Sequence, residues 1–311
     1  MKGNLGKKVT FGIVGTGILG TVIAVLLERS GHYTCAGVHT HSCASYERFC
    51  GYLEREHLDL NNLAERCEVL FITTYDDSIR RVAEQLDVAE QPAPLRHKRL
   101  LVHCSGSLPS SVMDTRTGQN LYVSIHPYRS FATIADGLTQ MPGTPFGVEG
   151  TTPQAMREGE KLVDALGGIA YPISTEAKTL YHAAAVFASN YLVTLTAIGV
   201  RLFEQIGLNS QQSLELLLPL MEGTTDNIRR HGLPDALTGP IARGDVNVIR
   251  KHLTELPAEL HRLYCVLGEQ TLEIGRQKKQ RVGEAYSADV EEELRSLFTR
   301  DGIYDTRQGK A

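Results

Sequence analysis

The chain reads as an α/β domain with a doubly wound, mostly parallel sheet, followed by an all-α domain. Three observations carry that reading. Strand-like and helix-like runs alternate through the first half, a glycine-rich turn joins the first strand to the first helix, and only helical periodicity remains after about residue 174. The expected domains are therefore 1–174 and 175–311.

In order, Lys8–Val14 is a buried strand and Ile18–Ser30 a helix, then Tyr33–His39 a strand and Ala44–Leu53 a helix. Val69–Thr73 is a third apolar run, and Asp76-Asp77-Ser78 can cap a helix over Ile79–Leu86. Pro92 and Pro94 mark a loop before strands at Leu100–His103 and Leu121–Ser124. Late strands at Pro145–Val148 and Gly168–Tyr171 flank a helix over Pro153–Leu166. Beyond them Ser174 or Thr175 can cap a long helix, with Glu176 in its first turn, that runs to about Ile206. Helical patterns follow at Ser210–Arg230, Asp245–Glu255, Pro257–Arg276 and Ala288–Phe298, with a kink expected at Pro219.

Composition excludes several function classes. Lys+Arg 32 against Asp+Glu 36 leaves a net charge of −4, so no broad cationic field offers itself to nucleic acid or an anionic membrane. The charge runs Arg276–Arg281 and Asp289–Glu293 read as solvated helix faces. Six cysteines without a C-x-x-C pair suit reduced thiols and a cytoplasmic protein. Met1–Lys8 reads as the lead-in to a strand, not as a signal peptide. No uninterrupted apolar run reaches the roughly 18 to 20 residues of a membrane span; the nearest, Ala183–Val200, is broken by Ser189 and Asn190. The histidines lack H-x-x-x-H spacing, so no metal site is expected.

The strongest local signal is Gly15-Thr16-Gly17-Ile18-Leu19-Gly20, a G-x-G-x-x-G between a strand and a helix. The first glycine permits a tight turn and the second lets a pyrophosphate approach the backbone. The third lets helix and strand pack closely, and the helix N-terminus supplies N–H donors. That is the fingerprint of a Rossmann dinucleotide site. A ligand-free glycine turn is the bland reading. An NAD site usually places Asp or Glu about 20 residues on, against the adenosine ribose. Here His39, Thr40 and His41 hold that place, which favours NADP(H) with NAD still possible, although no arginine stands there to clamp a 2′-phosphate. Thr74, after the third strand, is a further cofactor contact.

On the long helix Lys178 and His182 are four apart and share a face; Ser189 falls on the same stripe and Asn190 flanks it. The rest is apolar nearly all round and should be buried, so the stripe either satisfies itself or faces a substrate cleft. In the cleft reading Lys178 donates a proton or hydrogen bond to a carbonyl oxygen, with His182 and Asn190 orienting. At strand ends, Ser105, Ser107 and the loop N–H groups around Gly106 can hold a substrate carboxylate, and His126 follows the Leu121 strand. Cys104 reads as a small buried residue, and any one histidine here can equally be structural. In Thr238–Asp245, Gly239-Pro240 makes a turn and Asp245 a cap; Arg243 can bind a substrate carboxylate or pair across a subunit interface.

With Gly15–Gly20, His103–Gly106, His126-Pro127, Tyr181–Ala184, Ser189-Asn190 and Thr238–Asp245 in this order, the chain resembles Rossmann-like oxidoreductases with an uncharacterised helical C-terminal domain. These are distant relatives of ketopantoate reductase, pyrroline-5-carboxylate reductase and the beta-hydroxyacid dehydrogenases. The resemblance implies a helical domain that dimerises and an active site between the domains. It also implies a K-x-x-x-N motif whose lysine assists proton transfer and whose asparagine positions substrate. Lys178 matches the lysine, and His182 stands at the asparagine position. The expected function is hydride transfer between NADP(H) and a small carbonyl, imine or hydroxy acid, by a homodimer. A sensor that binds NADP(H) without turnover is the alternative, and an S-adenosylmethionine methyltransferase fits the helical second domain poorly.

Overall fold

The computed structural model describes residues 8–88, 98–115 and 120–299; Pro92, Pro94 and the segment Met1–Lys7 lie outside them. The chain forms two compact units, 1–194 and 195–311.

The first unit is built on a seven-stranded sheet of order β2-β1-β3-β4-β5-β6-β7. Its strands are β1 (Val9–Val14), β2 (Tyr33–His39), β3 (Val69–Ile72), β4 (Leu100–His103), β5 (Leu121–Pro127), β6 (Pro145–Gly150) and β7 (Ile169–Pro172). All neighbours pair in parallel except β5 with β6. The helices are α1 (Ile18–Arg29), α2 (Cys43–Cys50), α3 (Leu60–Arg66), α4 (Asp76–Val88), α5 (Ile134–Gln140), α6 (Pro153–Ala165) and α7 (Lys178–Ala188).

Period-two alternation sorts the strand side chains onto two cores. Phe11, Ile13, Val69, Phe71, Val102, Val123 and Ile125 pack on one face against α1, α5 and α6. Val14, Leu70, Ile72, Leu101 and Tyr122 pack on the other against α3 and α4. The sheet is therefore doubly wound, as the alternating pattern requires. Strand order reverses at β1, whose neighbours are β2 and β3, and ligands of such sheets bind at that switch point.

Local chemistry sets the element starts. Ser42, Asp59, Thr133 and Thr152 cap α2, α3, α5 and α6 through their side chains. The short α3 and α5 carry too few periodic apolar positions to stand out in sequence, and both escape the sequence reading. Buried Arg99 donates to Ala64 O and Leu86 O, placing its charge at the C-terminal turns of α3 and α4.

The long helix expected from Glu176 to Ile206 is divided. A 3-10 turn at Thr175–Ala177, capped by Ser174, leads into α7; Ser189, with φ −118° and ψ −69°, departs from helical geometry, and α8 (Asn190–Gln205) follows. The Ser189 N–H still donates to Ala185 O and its carbonyl accepts from Val193 N, so the departure is local. The expected burial also fails within one chain: Lys178 is the sole buried residue of α7, and α8 has none. Thr175–Gln205 is a helical stretch of 31 residues holding an 18-residue window of mean hydropathy 1.6, long and apolar enough to cross a membrane by length and composition only. Ser189 and Asn190 interrupt its apolar run as expected. Its first turns are instead tied to the sheet through Lys178 and Tyr181.

The second unit contains most of α8, then α9 (Ser210–His231), α10 (Pro240–Arg243), α11 (Val246–Glu255), α12 (Ala258–Arg281) and α13 (Ala288–Phe298). A capping box at Asn209 and Gln212 starts α9, which runs on through Pro219. Val246, Ile249, Leu253, Cys265, Leu272, Leu294 and Phe298 make a core of α11, α12 and α13. Asp245 caps α11, and α12 ends on Lys278, Lys279 and Arg281, the sign its dipole favours.

Close packing at Gly20 is a testable feature of this fold. A Cβ there would lie 2.2 Å from Gly15 O and 2.5 Å from Thr73 Oγ1. Gly20→Ala should cost about 1–3 kcal/mol by overpacking and lower the Tm by several degrees. An unchanged Tm in thermal denaturation would contradict this packing.

Candidate functional site

Two constellations lie at the C-terminal ends of the strands, both inside the first unit. The first is the turn between β1 and α1. Gly15 has φ +102°, and its N–H donates to His39 O at 2.8 Å. Thr73 Oγ1 donates to Gly15 O at 2.6 Å, so the turn is fastened to the ends of both β2 and β3. Gly17 opens α1 without a side-chain cap, and no acidic residue occupies the first turn. A Cβ on Gly17 would meet nothing within 4 Å, whereas one on Gly15 would strike Thr73 O at 2.8 Å. Thr16 is buried, and its Oγ1 has no hydrogen-bond partner. Open space before uncapped helix N–H groups, with an orphaned hydroxyl beside them, fits a dinucleotide pyrophosphate. Ile18 and Leu19 continue the turn, half-buried against the sheet core. His39 and Thr40 are half-buried at the end of β2 with His41 exposed beyond them, and Thr74 is half-buried after β3.

The second constellation gathers around the loop after β4. Lys178 is 3% exposed, and its ammonium donates to Ser124 Oγ at 2.6 Å and to Ser105 O at 3.1 Å. Ser124 Oγ in turn donates to Ser105 O at 3.1 Å. Burial lowers the Lys178 pKa to about 8, against the opposing pull of Glu149, Cys104 and Asp76. Glu149 is itself buried, accepting from Ser110 N at 2.6 Å, Ser110 Oγ at 3.0 Å and Thr175 Oγ1 at 2.8 Å. Cys104 is buried, with its thiol pushed up to about 12, the state of an inert packing residue.

Ser105 Oγ and Ser107 Oγ both donate to Asp76 Oδ2, at 2.7 and 3.0 Å. Each hydroxyl has one proton, so neither is free to donate to a substrate carboxylate while Asp76 holds it. His103 accepts from Ser105 N at Nδ1 (3.1 Å) and faces Pro109 O with Nε2 (3.2 Å). Both ring nitrogens are engaged. Burial, then the Lys178 charge, pushes its pKa down to about 4, so it is a neutral structural imidazole that shapes the loop.

Gly106 is where two further imidazoles close in. A Cβ on it would lie 2.7 Å from His182 Cδ2 and 2.9 Å from His126 Nε2. His126 Nδ1 is 2.9 Å from the Tyr181 hydroxyl, and burial brings His126 down to about 4 as well. The phenol of Tyr181, raised to about 12 by burial, keeps its proton. The hydroxyl meets His126 Nδ1 and also donates to His126 O at 3.4 Å, so it fixes the ring beside Gly106. Tyr181 also walls an apolar cavity of about 250 Å³, with Tyr128, Phe146, Tyr171 and Ile173.

Of the sequence candidates, the structure brings together Lys178, His182, Ser105, Gly106 and His126 on one loop. Asn190 is exposed at the start of α8, twelve residues beyond Lys178. Arg243 is exposed in the last turn of α10, in the second unit. Sequence reasoning missed Asp76, Ser124 and Glu149. Asp76 reads as a helix cap, Ser124 as the last residue of a strand, and Glu149 as the polar end of another; no spacing rule links them to Lys178.

Comparison with known proteins agrees with this architecture. Residues 3–127 match a Rossmann-like domain family, and residues 144–271 match a domain of unknown function (DUF2520). No curated protein matches the chain. Among solved structures, a protein of Thermotoga maritima is 26% identical with a TM-score of 0.66, covering 88% of this chain and 100% of its own. A protein described as a candidate NADP oxidoreductase from Bacteroides fragilis is 23% identical with a TM-score of 0.69, covering 86% and 98%. Pyrroline carboxylate reductase of Plasmodium falciparum, solved with NADP bound, has 12% identity and a TM-score of 0.57, covering 94% and 98%. The chain has a Rossmann-like fold with a helical C-terminal region, and it shares that fold with these solved structures.

Proposed function

We propose that this protein is an NADP(H)-dependent oxidoreductase acting on a small carbonyl, imine or hydroxy acid. The observation that carries the reading is Lys178: a buried ammonium with its pKa lowered to about 8, held between the loop after β4 and the middle of β5. General acids work best with pKa values near the operating pH. A bound nicotinamide would supply or take the hydride. Gly15, Thr16, Gly17 and Gly20 would hold the cofactor's pyrophosphate, with Ile18, Leu19 and Thr74 beside it and His39, Thr40 and His41 at the adenosine ribose.

Lys178 would present a proton to the substrate oxygen or nitrogen, with Ser105 and Ser124 fixing the ammonium in place. His126 and His182 would flank the substrate over Gly106, offering ring N–H groups. Asp76, at the same loop, would repel a carboxylate placed against Ser105 and Ser107 and so favour a substrate that is uncharged or cationic there. Asn190, exposed at the start of α8, and Arg243, in the second unit, have no part in this arrangement. One observation favours the alternative of a cofactor-binding sensor. Both Lys178 contacts are to the protein itself, so the lysine could simply pin the loop.

The reading includes a cytoplasmic homodimer. All six cysteines are free thiols. Leu180, Phe187 and Val193, each at least 70% exposed, are apolar side chains on α7 and α8 that a second copy of the chain would cover.

Three outcomes are expected. NADPH should bind tighter than NADH in fluorescence titration, and His39→Asp should narrow or reverse that preference; tighter NADH binding to the unaltered protein overturns the assignment. Lys178→Met should leave NADPH affinity nearly intact and lower turnover by about 10²–10⁴-fold, with Lys178→Arg rescuing poorly because a guanidinium keeps its proton. Because the lysine loses its proton above about pH 8, the reduction rate should fall there. Unaltered turnover in Lys178→Met would sink the catalytic role. Light scattering should show a dimer at micromolar concentration, and a monomer would count against the proposed interface.

A further inference from the structure

Three imidazoles meet at the end of β2, and one comes from outside the strand. His57 belongs to the segment leading into α3, and a parallel bridge pairs it with Val38. Leu58 N donates to Val38 O at 2.8 Å and Val38 N to Glu56 O at 3.0 Å, so this segment runs beside β2 as a short extra strand. The His39 ring centroid lies 5.2 Å from that of His41 and 5.4 Å from that of His57. His39 O also receives the Gly15 N–H, so the cluster adjoins the glycine turn where the ribose of a dinucleotide belongs.

Two of the rings are oriented by the backbone. His39 Nδ1 is 2.8 Å from Leu58 O, and His57 Nε2 is 2.9 Å from Thr40 O, closer than its 3.3 Å approach to Thr40 N. A ring nitrogen against a carbonyl must carry hydrogen, so the neutral rings keep His39 Nε2 and His57 Nδ1 as bare acceptors. A bare acceptor cannot receive a phosphate oxygen. It must first take up a proton, and imidazole is the side chain that does so between pH 8 and 5.

The other charges around the cluster are engaged elsewhere. Arg55 pairs with Glu28 at 3.0 Å and Arg66 with Glu56 at 2.9 Å. Arg48 donates to Ser45 Oγ. The Asp59 carboxylate caps α3 through Asn62 and lies below the usual range for that reason, with His39 a lesser influence. Tyr46 packs edge-on against His57 and donates its hydroxyl to Arg55 O.

We propose that His39, His41 and His57 form a proton-linked receptor for the 2′-phosphate of NADP(H). Binding of the dianion draws protons onto the imidazoles, so the preference for NADPH over NADH strengthens as pH falls. This rests on the NADP(H) reading above. His57 is the residue it adds: a specificity-determining side chain supplied by the segment before α3.

The test is isothermal titration calorimetry of the full chain with NADPH and with NADH, repeated in PIPES, HEPES and Tris. The dependence of the observed heat on buffer ionisation enthalpy counts the protons taken up. NADPH should bind with uptake of about 0.5–2 protons near pH 7.5 and NADH with none. The NADPH/NADH affinity ratio should rise about tenfold or more from about pH 8.5 to about pH 6.5. His57→Gln, which keeps a donor but cannot become charged, should reduce proton uptake and NADPH affinity and leave NADH affinity unchanged. NADPH preference without proton uptake, or unaltered by pH, overturns the proton-linked receptor and leaves the NADP(H) reading standing. Equal or tighter NADH binding at every pH overturns both.

Discussion

The first unit is organised around a cation removed from water. An ammonium that is 3% exposed is tolerated only where hydrogen bonds replace its hydration, and Lys178 finds them in Ser105 O and Ser124 Oγ. Those contacts join three elements that are distant in sequence: the start of α7, the loop after β4 and the middle of β5. The same loop then presents Ser105 and Ser107 to Asp76, and Gly106 to His126 and His182. Buried Glu149 supplies the opposing charge without touching the ammonium as an ion pair, while its own oxygens secure Ser110 and Thr175. The lysine is therefore both a chemical group and a structural anchor.

The electrostatics divide the histidines by role. His103 and His126 are held neutral by burial and by the neighbouring ammonium, so neither can act as a cation at ordinary pH. Their value is directional, because each ring has a fixed hydrogen-bond partner that orients it. The cluster at the end of β2 is different. His41 and His57 face solvent, and His39 is only half-buried. One fold thus carries buried imidazoles beside its lysine and solvent-facing ones beside its glycine turn.

Much of the fold was legible because its signals are local. Tyr33–His39, Leu100–His103 and Ala288–Phe298 fall where alternation and helical periodicity place them. The glycine turn was legible for the same reason, since tight geometry needs particular residues at adjacent positions. The candidate site was legible only in part. Lys178, Ser105, Gly106 and His126 stand at strand ends or on a helix face, but the stripe argument that joined Lys178 to Asn190 assumed one straight helix. Ser189 interrupts it, and Asn190 begins a new one.

The sequence by itself determined the periodicities, the caps and the glycine turn, hence the doubly wound sheet, its order of elements and the turn at its switch point. Each depends on interactions spanning a few residues, whose outcome is set by residue type and spacing. Tertiary structure alone decided that Asp76 meets Ser105, that Ser124 and Glu149 attend Lys178, and that His57 joins His39. Those pairs are 18 to 54 residues apart, or 29 where Asp76, Ser105, Glu149 and Lys178 are concerned. The strand order brings them together, and no local propensity encodes a contact between the ends of two neighbouring strands.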